Sequence, residues 1–193
     1  MPIHDAVVAG GGPGGCAAAL ALRAHAPALS VALIEASDYA APRVGETLSP
    51  PAAEVLRHLG VWEAFAAQGH HPAYGTAAAW GSAVPHENDF LFHAHQVGWH
   101  LDRGAFDGML AYHAQARGVQ VMRGTRVLDA VRGEDGWRLT LSTGAELRAR
   151  FLVDATGGGA VLARRCCGAR SLAADRLAGF VRFFRQPPGR GAP

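Results

Sequence analysis

The sequence predicts an α/β domain organised around a parallel sheet, and three observations carry that prediction. Short apolar runs recur at 4–9, 31–34 and 151–153, each of a length suited to a buried strand. An Ala- and Leu-rich stretch of helical length lies between the first two runs. A glycine cluster, Gly10-Gly11-Gly12-Pro13-Gly14-Gly15, joins the first run to that stretch.

In order, these pieces read as a strand over 4–9, a helix over 14–25 and a strand over 30–35, one βαβ unit. Gly10, Gly12 and Gly15 occupy the fixed positions of G-x-G-x-x-G, and Glu35 ends the second strand twenty residues further on. Each position has a physical task. Gly10 makes the tight turn out of the strand, Gly12 lets a pyrophosphate approach the backbone, and Gly15 lets helix and strand pack closely. Pro13 and Gly14 open the helix, whose first N–H groups and positive dipole end favour phosphate. Glu35 is placed to accept hydrogen bonds from ribose hydroxyls. The pattern therefore predicts dinucleotide binding in a Rossmann-like domain. An acid at 35 repels a 2′-phosphate, which points to FAD or NAD rather than NADP.

A non-periodic loop spans 37–49. Ser49 and Pro50 read as an N-cap and a first-turn proline, opening a helix over 51–59 that stops at Gly60. A short helix is expected over 62–68. From Gly69 to Leu101 the chain becomes rich in His, aromatic residues, Gly and Pro, with strand-like pieces at 77–82, 90–93 and 97–101. This stretch is expected to build part of a substrate pocket, lined by Tyr74, Trp80, Phe90, Phe92 and Trp99 unless these serve as ordinary core. Asp102 caps a helix over 103–117, with Phe106, Leu110 and His113 or Ala114 on one face and Gly118 as its stop. Strands follow at 119–122 and 125–131, then a charged hairpin turn at 132–136. A β-meander over 136–142 and 146–150 turns at Thr143-Gly144. The run 151–157 reads as a further parallel strand entering a glycine turn. Residues 179–185 suggest one more strand, and 186–193 a disordered tail. The expected division is an FAD-binding domain over 1–70 and 101–165, with part of a substrate domain over 71–100 and 170–185.

Length and composition suit one domain with a small appendage: 193 residues, 49% hydrophobic and 18% charged. All eighteen basic residues are arginine, so chemistry that needs a lysine amine is excluded within this chain. A net charge of +2 with dispersed arginines predicts no nucleic-acid partner. No apolar run is long enough to span a membrane, and the chain starts on a strand without a charged leader, so the cytoplasm is expected. Cys16, Cys166 and Cys167 form no disulfide framework and no zinc spacing. Cys16, near the helix N-terminus, is either a thiol of lowered pKa or, the favoured reading, a small packing residue. An adjacent pair such as Cys166-Cys167 closes a disulfide only with strain. His93 and His95 would share one strand face, with His70, His71, His86 and His100 nearby, but nothing completes a recognised ligand set and no metal is expected.

Three blocks give the chain a resemblance to the FAD-dependent monooxygenase and halogenase superfamily, flavoproteins with a glutathione-reductase-type FAD fold. They are the glycine loop with Glu35; Pro42-Arg43-x-Gly45-Glu46-Thr47-Leu48-Ser49-Pro50; and Gly98-Trp99-His100-Leu101-Asp102-Arg103-x-x-Phe106-Asp107, leading on to Gly118-Val119-x-Val121 and Leu152-Val153-Asp154-Ala155-Thr156-Gly157. The resemblance implies that Gly10, Gly12, Pro13, Gly14, Gly15 and Glu35 hold the pyrophosphate and adenosine ribose of FAD. Arg43, Gly45 and Glu46 would lie by the ribityl chain and flavin ring, and Arg103 would reach the cofactor. Val127 would hold the adenine through its backbone, and the turn from Asp154 to Gly157 would close on the cofactor. No catalytic acid or base is singled out.

The implied activity is that of an FAD-dependent oxidoreductase. A monooxygenase is expected first, hydroxylating an organic small molecule or aromatic group through a flavin hydroperoxide, with electrons from NAD(P)H or a separate flavin reductase. A flavin dehydrogenase or reductase, a halogenase-like protein and a non-catalytic FAD-binding fragment are the alternatives. Halogenases of this group depend on a lysine beyond the Gly-Glu segment, and this chain has none; it also lacks W-x-W-x-I-P. The Gly-Asp turn that binds the ribityl chain in such proteins is not found, so a truncated piece of a longer flavoprotein is expected.

Overall fold

A computed structural model describes residues 3–45, 47–172 and 178–183. Strand β1 (Ile3–Ala9) runs through the glycine loop into α1 (Pro13–His25), and β2 (Val31–Ile34) returns beside β1. There follow β3 (Thr47–Leu48), α2 (Ala52–His58), α3 (Trp62–Ala67), β4 (His71–Ala73), β5 (Gly75–Ala78), β6 (His86–Asp89) and β7 (Gly98–His100). Helix α4 (Arg103–Ala116) leads to β8 (Gln120–Met122), β9 (Val127–Gly133), β10 (Gly136–Leu141), β11 (Glu146–Asp154) and α5 (Val161–Cys166).

The main sheet has the order β8-β2-β1-β11-β10-β9. Its first four strands are parallel, while β10 pairs antiparallel with both β11 and β9. The α/β class, the first βαβ unit and the meander hairpins stand as expected. Period-two alternation divides the core between the two faces. Val8, Val31 and Leu33 face the helical layer with Leu20, Phe65, Phe106 and Leu110, whereas Val7, Ala32 and Ile34 pack with Leu139, Leu141 and Leu162. Every residue of β2 is buried, as a parallel strand covered on both faces requires. In α4 the third position of the expected face is Ala114 rather than His113, and the Asp102 carboxylate accepts from Ala105 N at 3.0 Å as its cap.

Several expectations are corrected. Residues 146–154 form one continuous strand, not a meander arm followed by a separate strand. β11 pairs with β10 over 146–149 and runs beside β1 from Arg148 to Asp154. Phe90–Phe92 is a 3-10 turn, because the Asp89 side chain accepts from Leu91 N at 2.8 Å and ends the strand one residue earlier. The shared strand face expected for His93 and His95 therefore does not exist. The piece expected at 77–82 lies instead at Gly75–Ala78, paired with β6. Helix α2 begins at Ala52, after a turn in which Ala52 N bonds Ser49 O; Ser49 supplies no side-chain cap. A three-stranded sheet, β3-β7-β4, was not anticipated. Residues 178–183 carry no strand, and 184–193, including the expected tail, lie outside the described residues.

Leu139 is fully buried on the face of the main sheet that packs with Leu162 of α5, and Leu172 is 94% exposed. Leu139→Ala is expected to cost about 2–5 kcal/mol in urea unfolding. Leu172→Ala is expected to stay within about 0.5 kcal/mol of the parent.

Candidate cofactor-binding site

The C-terminal ends of three parallel strands lie level, with Ala9 paired to both Ile34 and Asp154. Ligands of open parallel sheets bind beyond such ends. Here they open on a cleft of about 840 Å³. Its walls are the glycine loop, the end of β2 at Glu35, Arg43, Arg103, the segment 125–128, the turn 154–157 and one side of α5.

The glycines of the loop divide by what a β-carbon would meet. At Gly10, where φ is +109°, it would overlap the Ala155 carbonyl oxygen; at Gly15 it would overlap the carbonyl oxygen of Gly10. At Gly11 it would meet the Tyr39 hydroxyl and lie 2.7 Å from the Glu35 β-carbon. At Gly12 and Gly14 it would meet nothing within 4 Å. Three glycines thus serve packing, and two border open space. Gly12 is the N-cap of α1 without a side-chain cap, Pro13 follows, and the first turn has no acid. The first intrahelical bond runs from Cys16 N to Gly12 O at 2.9 Å. That leaves the amides of Gly14 and Gly15 without an intrahelical acceptor, an arrangement that favours phosphate.

Glu35 is 6% exposed. Its Oε2 accepts from Gly11 N at 2.7 Å; its Oε1 accepts from Ser37 N at 3.0 Å, Ser37 Oγ at 2.6 Å and Arg43 Nη2 at 2.7 Å. Burial alone would raise the Glu35 pKa, but the bonds from Ser37, Arg43 and Gly11 outweigh it and hold the carboxylate below its usual value. Arg43 continues to Asp107, with Nη1 at 3.2 Å from Oδ2, and also donates to Ser37 Oγ. Asp107 receives a two-pronged pair from Arg103, Nε to Oδ1 at 3.0 Å and Nη2 to Oδ2 at 2.9 Å. The Nη1 of Arg103 turns to the carbonyls of Val44 and Gly45 at 2.9 and 3.4 Å.

The cleft brings together Gly10, Gly12, Pro13, Gly14, Glu35, Arg43, Arg103, Val127, Asp154 and Gly157. Gly15 packs behind the loop. Gly45 lines an adjoining apolar pocket of about 200 Å³ that shares Pro13 and Arg103 with the cleft. Glu46 lies outside the described residues. The guanidinium of Arg43 sits on Glu35, the acid read as the ribose acceptor. Asp154 spends its carboxylate on Thr156 N, Thr156 Oγ1 and Ala163 N at 2.6–3.0 Å, tying the turn to α5. Burial there is likewise outweighed by these bonds, and the Asp154 pKa is lowered.

Sequence reading missed Gly11, Tyr39 and Asp107. Tyr39 is buried with φ +68°, and its hydroxyl donates to Gly11 O at 2.8 Å. It sits in the non-periodic loop and carried no signal. Asp107 did carry one, its i,i+4 spacing from Arg103 on a helix. Cys16 is fully buried; burial pushes its thiol up to about 12, and its Sγ lies 3.2 Å from Gly11 O, so it is a packing residue. Among the aromatic candidates, Phe90 and Trp99 pack into the fold, while Tyr74, Trp80 and Phe92 are exposed. His70 is engaged on both nitrogens, by Asp102 N and Gln68 Oε1, and burial lowers its pKa. Among the described residues no group of three or more His, Cys, Asp or Glu could hold a metal, and no helix is long and apolar enough to cross a membrane.

A glycine turn, uncapped helix and terminal acid around one cleft define a dinucleotide-binding protein. The chain belongs to the family described as FAD binding domain, whose profile matches residues 4–181. It is 30% identical over 192 residues to LodB of Marinomonas mediterranea, an FAD-dependent oxidoreductase by name, covering 97% of this chain and 52% of that one. It is also 30% identical to a rifampicin monooxygenase of Streptomyces venezuelae, over 81% of this chain and 32% of the relative. Among solved structures, the flavin-dependent halogenase CmlS superposes with a TM-score of 0.72 at 30% identity, over 82% of this chain and 30% of that one. The chain thus spans about half the length, or less, of the relatives it matches. FAD is the cofactor, and the open space at Gly12 and Gly14 beside unspent helix amides fits its pyrophosphate.

Because the folded-state pKa of Glu35 lies below the unfolded value of about 4.3, its contribution is complete above that value and is lost as pH falls through the folded pKa. The stability advantage of the parent over Glu35→Gln, measured by urea unfolding without cofactor, is expected to be flat from about pH 6 to 8 and to shrink below about pH 4. An advantage that persists undiminished at low pH would contradict the assignment.

Proposed function

We propose that this chain is the FAD-holding portion of a flavin-dependent oxidoreductase, and that its reaction is monooxygenation of a small organic molecule. The observation that carries the reading is the cleft beyond β1, β2 and β11, where a helix N-terminus without a side-chain cap follows a glycine loop whose Gly11 N–H is held by a buried acid. In this reading the Gly12–Gly15 backbone holds the pyrophosphate and Glu35 takes the adenosine ribose on the side of Oε2, its less committed oxygen. The Val127 backbone faces the adenine, and the Asp154–Gly157 turn closes the cleft. Gly45 and Glu46 lie toward the flavin.

When bound, FAD would supply the electron-transfer chemistry between NAD(P)H, or a separate flavin reductase, and oxygen. The chain's own part is to bind, orient and exclude water. The apolar pocket beside Gly45, walled by Leu48, Leu56, Leu101 and Phe106, supports the last of these. Oxygen transfer is preferred over halogenation on the lack of any lysine in the chain, since halogenases of this group depend on one beyond the Gly-Glu segment. In a second reading the chain holds FAD but turns over only with a complementary polypeptide. The exposure of Tyr74, Trp80 and Phe92 within 71–100, the proposed part of a substrate domain, favours it.

The purified chain mixed with FAD is expected to carry flavin absorption through gel filtration. Bleaching by NAD(P)H would support turnover by this chain, and bound flavin that does not bleach would point to a separate flavin reductase or to the second reading. A colourless chain in excess FAD would defeat both. Gly12→Val is expected to weaken FAD binding at least ~10-fold, about 1.4 kcal/mol, with the melting temperature unchanged because its side chain enters open space.

A further inference from the structure

Asp107 is fully buried and forms no part of the cleft wall. An unpaired carboxylate there would be costly, and its partners are two guanidiniums from different elements. Arg103 stands one helical turn earlier on α4, so helix geometry brings its fork onto both carboxylate oxygens. Arg43 comes from the loop after β2 and bonds the same Oδ2. Both arginines line the cleft. Among the described residues Arg43 gives three of its five N–H groups to Asp107, Glu35 and Ser37, which leaves two for a ligand. One carboxylate that no ligand reaches therefore sets where two cations stand on the cleft wall.

We propose that Asp107 is a positioning residue for the cofactor: it fixes Arg43 and Arg103 so that their remaining N–H groups meet the pyrophosphate. The inference rests on the cofactor assignment above. It makes a prediction opposite in sign to simple electrostatics. Removing a buried negative charge raises the positive potential of the cleft, and charge alone would then tighten the binding of an anion. Loss of positioning weakens it.

The test is calorimetric titration of the full 193-residue chain with FAD, ADP and adenosine, for the parent, Asp107→Asn and Arg103→Lys, with circular dichroism as the check of folding. Asp107→Asn is expected to raise the Kd for ADP at least ~10-fold while the Kd for adenosine changes less than about twofold, since only ADP carries the pyrophosphate. An ADP affinity that is unchanged or increased would overturn the proposal, as would equal losses for ADP and adenosine. If Asp107→Asn does not fold, Arg103→Lys decides. It leaves a cation beside Asp107 and removes the fork, and the same selective loss is expected; parental ADP binding by Arg103→Lys would overturn the proposal. Failure of the parent to bind FAD would sink the cofactor assignment and the inference with it. Parental FAD binding with an unaltered Asp107→Asn would sink the inference alone.

Discussion

Three backbone segments meet at Gly10 with no room for one additional carbon. A side chain there would enter the Ala155 carbonyl, and one at Gly15 would enter the carbonyl of Gly10. The end of β1, the start of α1 and the end of β11 are thereby held at van der Waals contact, and Ala155 N closes the junction on Ala9 O at 2.8 Å. From this follow the level strand ends, the position of the cleft and the direction of the α1 axis. The loop between is fixed just as firmly. Gly11 donates its N–H to Glu35, and its carbonyl accepts from Tyr39. With those groups turned inward, the polar groups left toward the cleft are the amides of the first helical turn.

The charges around the cleft serve orientation more than attraction. Glu35 and Asp107 balance Arg43 and Arg103, so this network is close to neutral before any ligand arrives. A pyrophosphate entering it would be drawn chiefly by the helix terminus, whose first turn carries no acid to offset its dipole and unbonded N–H groups. Pairing the arginines also holds them against solvent, so they need little reorganisation on binding. The cost falls on Glu35, whose Oε1 already holds three donors.

What could be read from the sequence was what short-range patterns specify. The strand over 4–9, the helix after it, the Asp102 cap and the Gly144 turn each depend on neighbours within a few residues, and each formed where expected. The misread sheet segments share one cause, dependence on distant pairing, whereas the turn at Phe90 follows from the local bond of Asp89. β11 changes partners along its length, so its apolar pattern changes midway and resembled two strands. β3, β4 and β7 are two or three residues long and exist because Thr47 and His71 both find His100; short strands of this kind have no local signature. At the site, most residues with a motif position were found, although Gly11 and Asp107 were passed over inside their motifs. Tyr39, which reaches the loop from an irregular segment, was not found.

The cleft and the apolar pocket share Pro13 and Arg103, and this sharing ties their geometries together. Arg103 holds the Val44 and Gly45 carbonyls with one nitrogen and Asp107 with the other two. The chain at Gly45 takes φ +102°, and a β-carbon there would sit 2.7 Å from Arg103 Nη1, so the turn fits closely over the guanidinium. Any shift of that guanidinium must therefore move the Gly45 turn and the pocket it lines. Conversely, a ligand group seated in the pocket presses on the same side chain that lines the cleft. The fold thus links the polar and apolar ends of the site through one arginine, so that the two can be set in a single geometry instead of being adjusted independently.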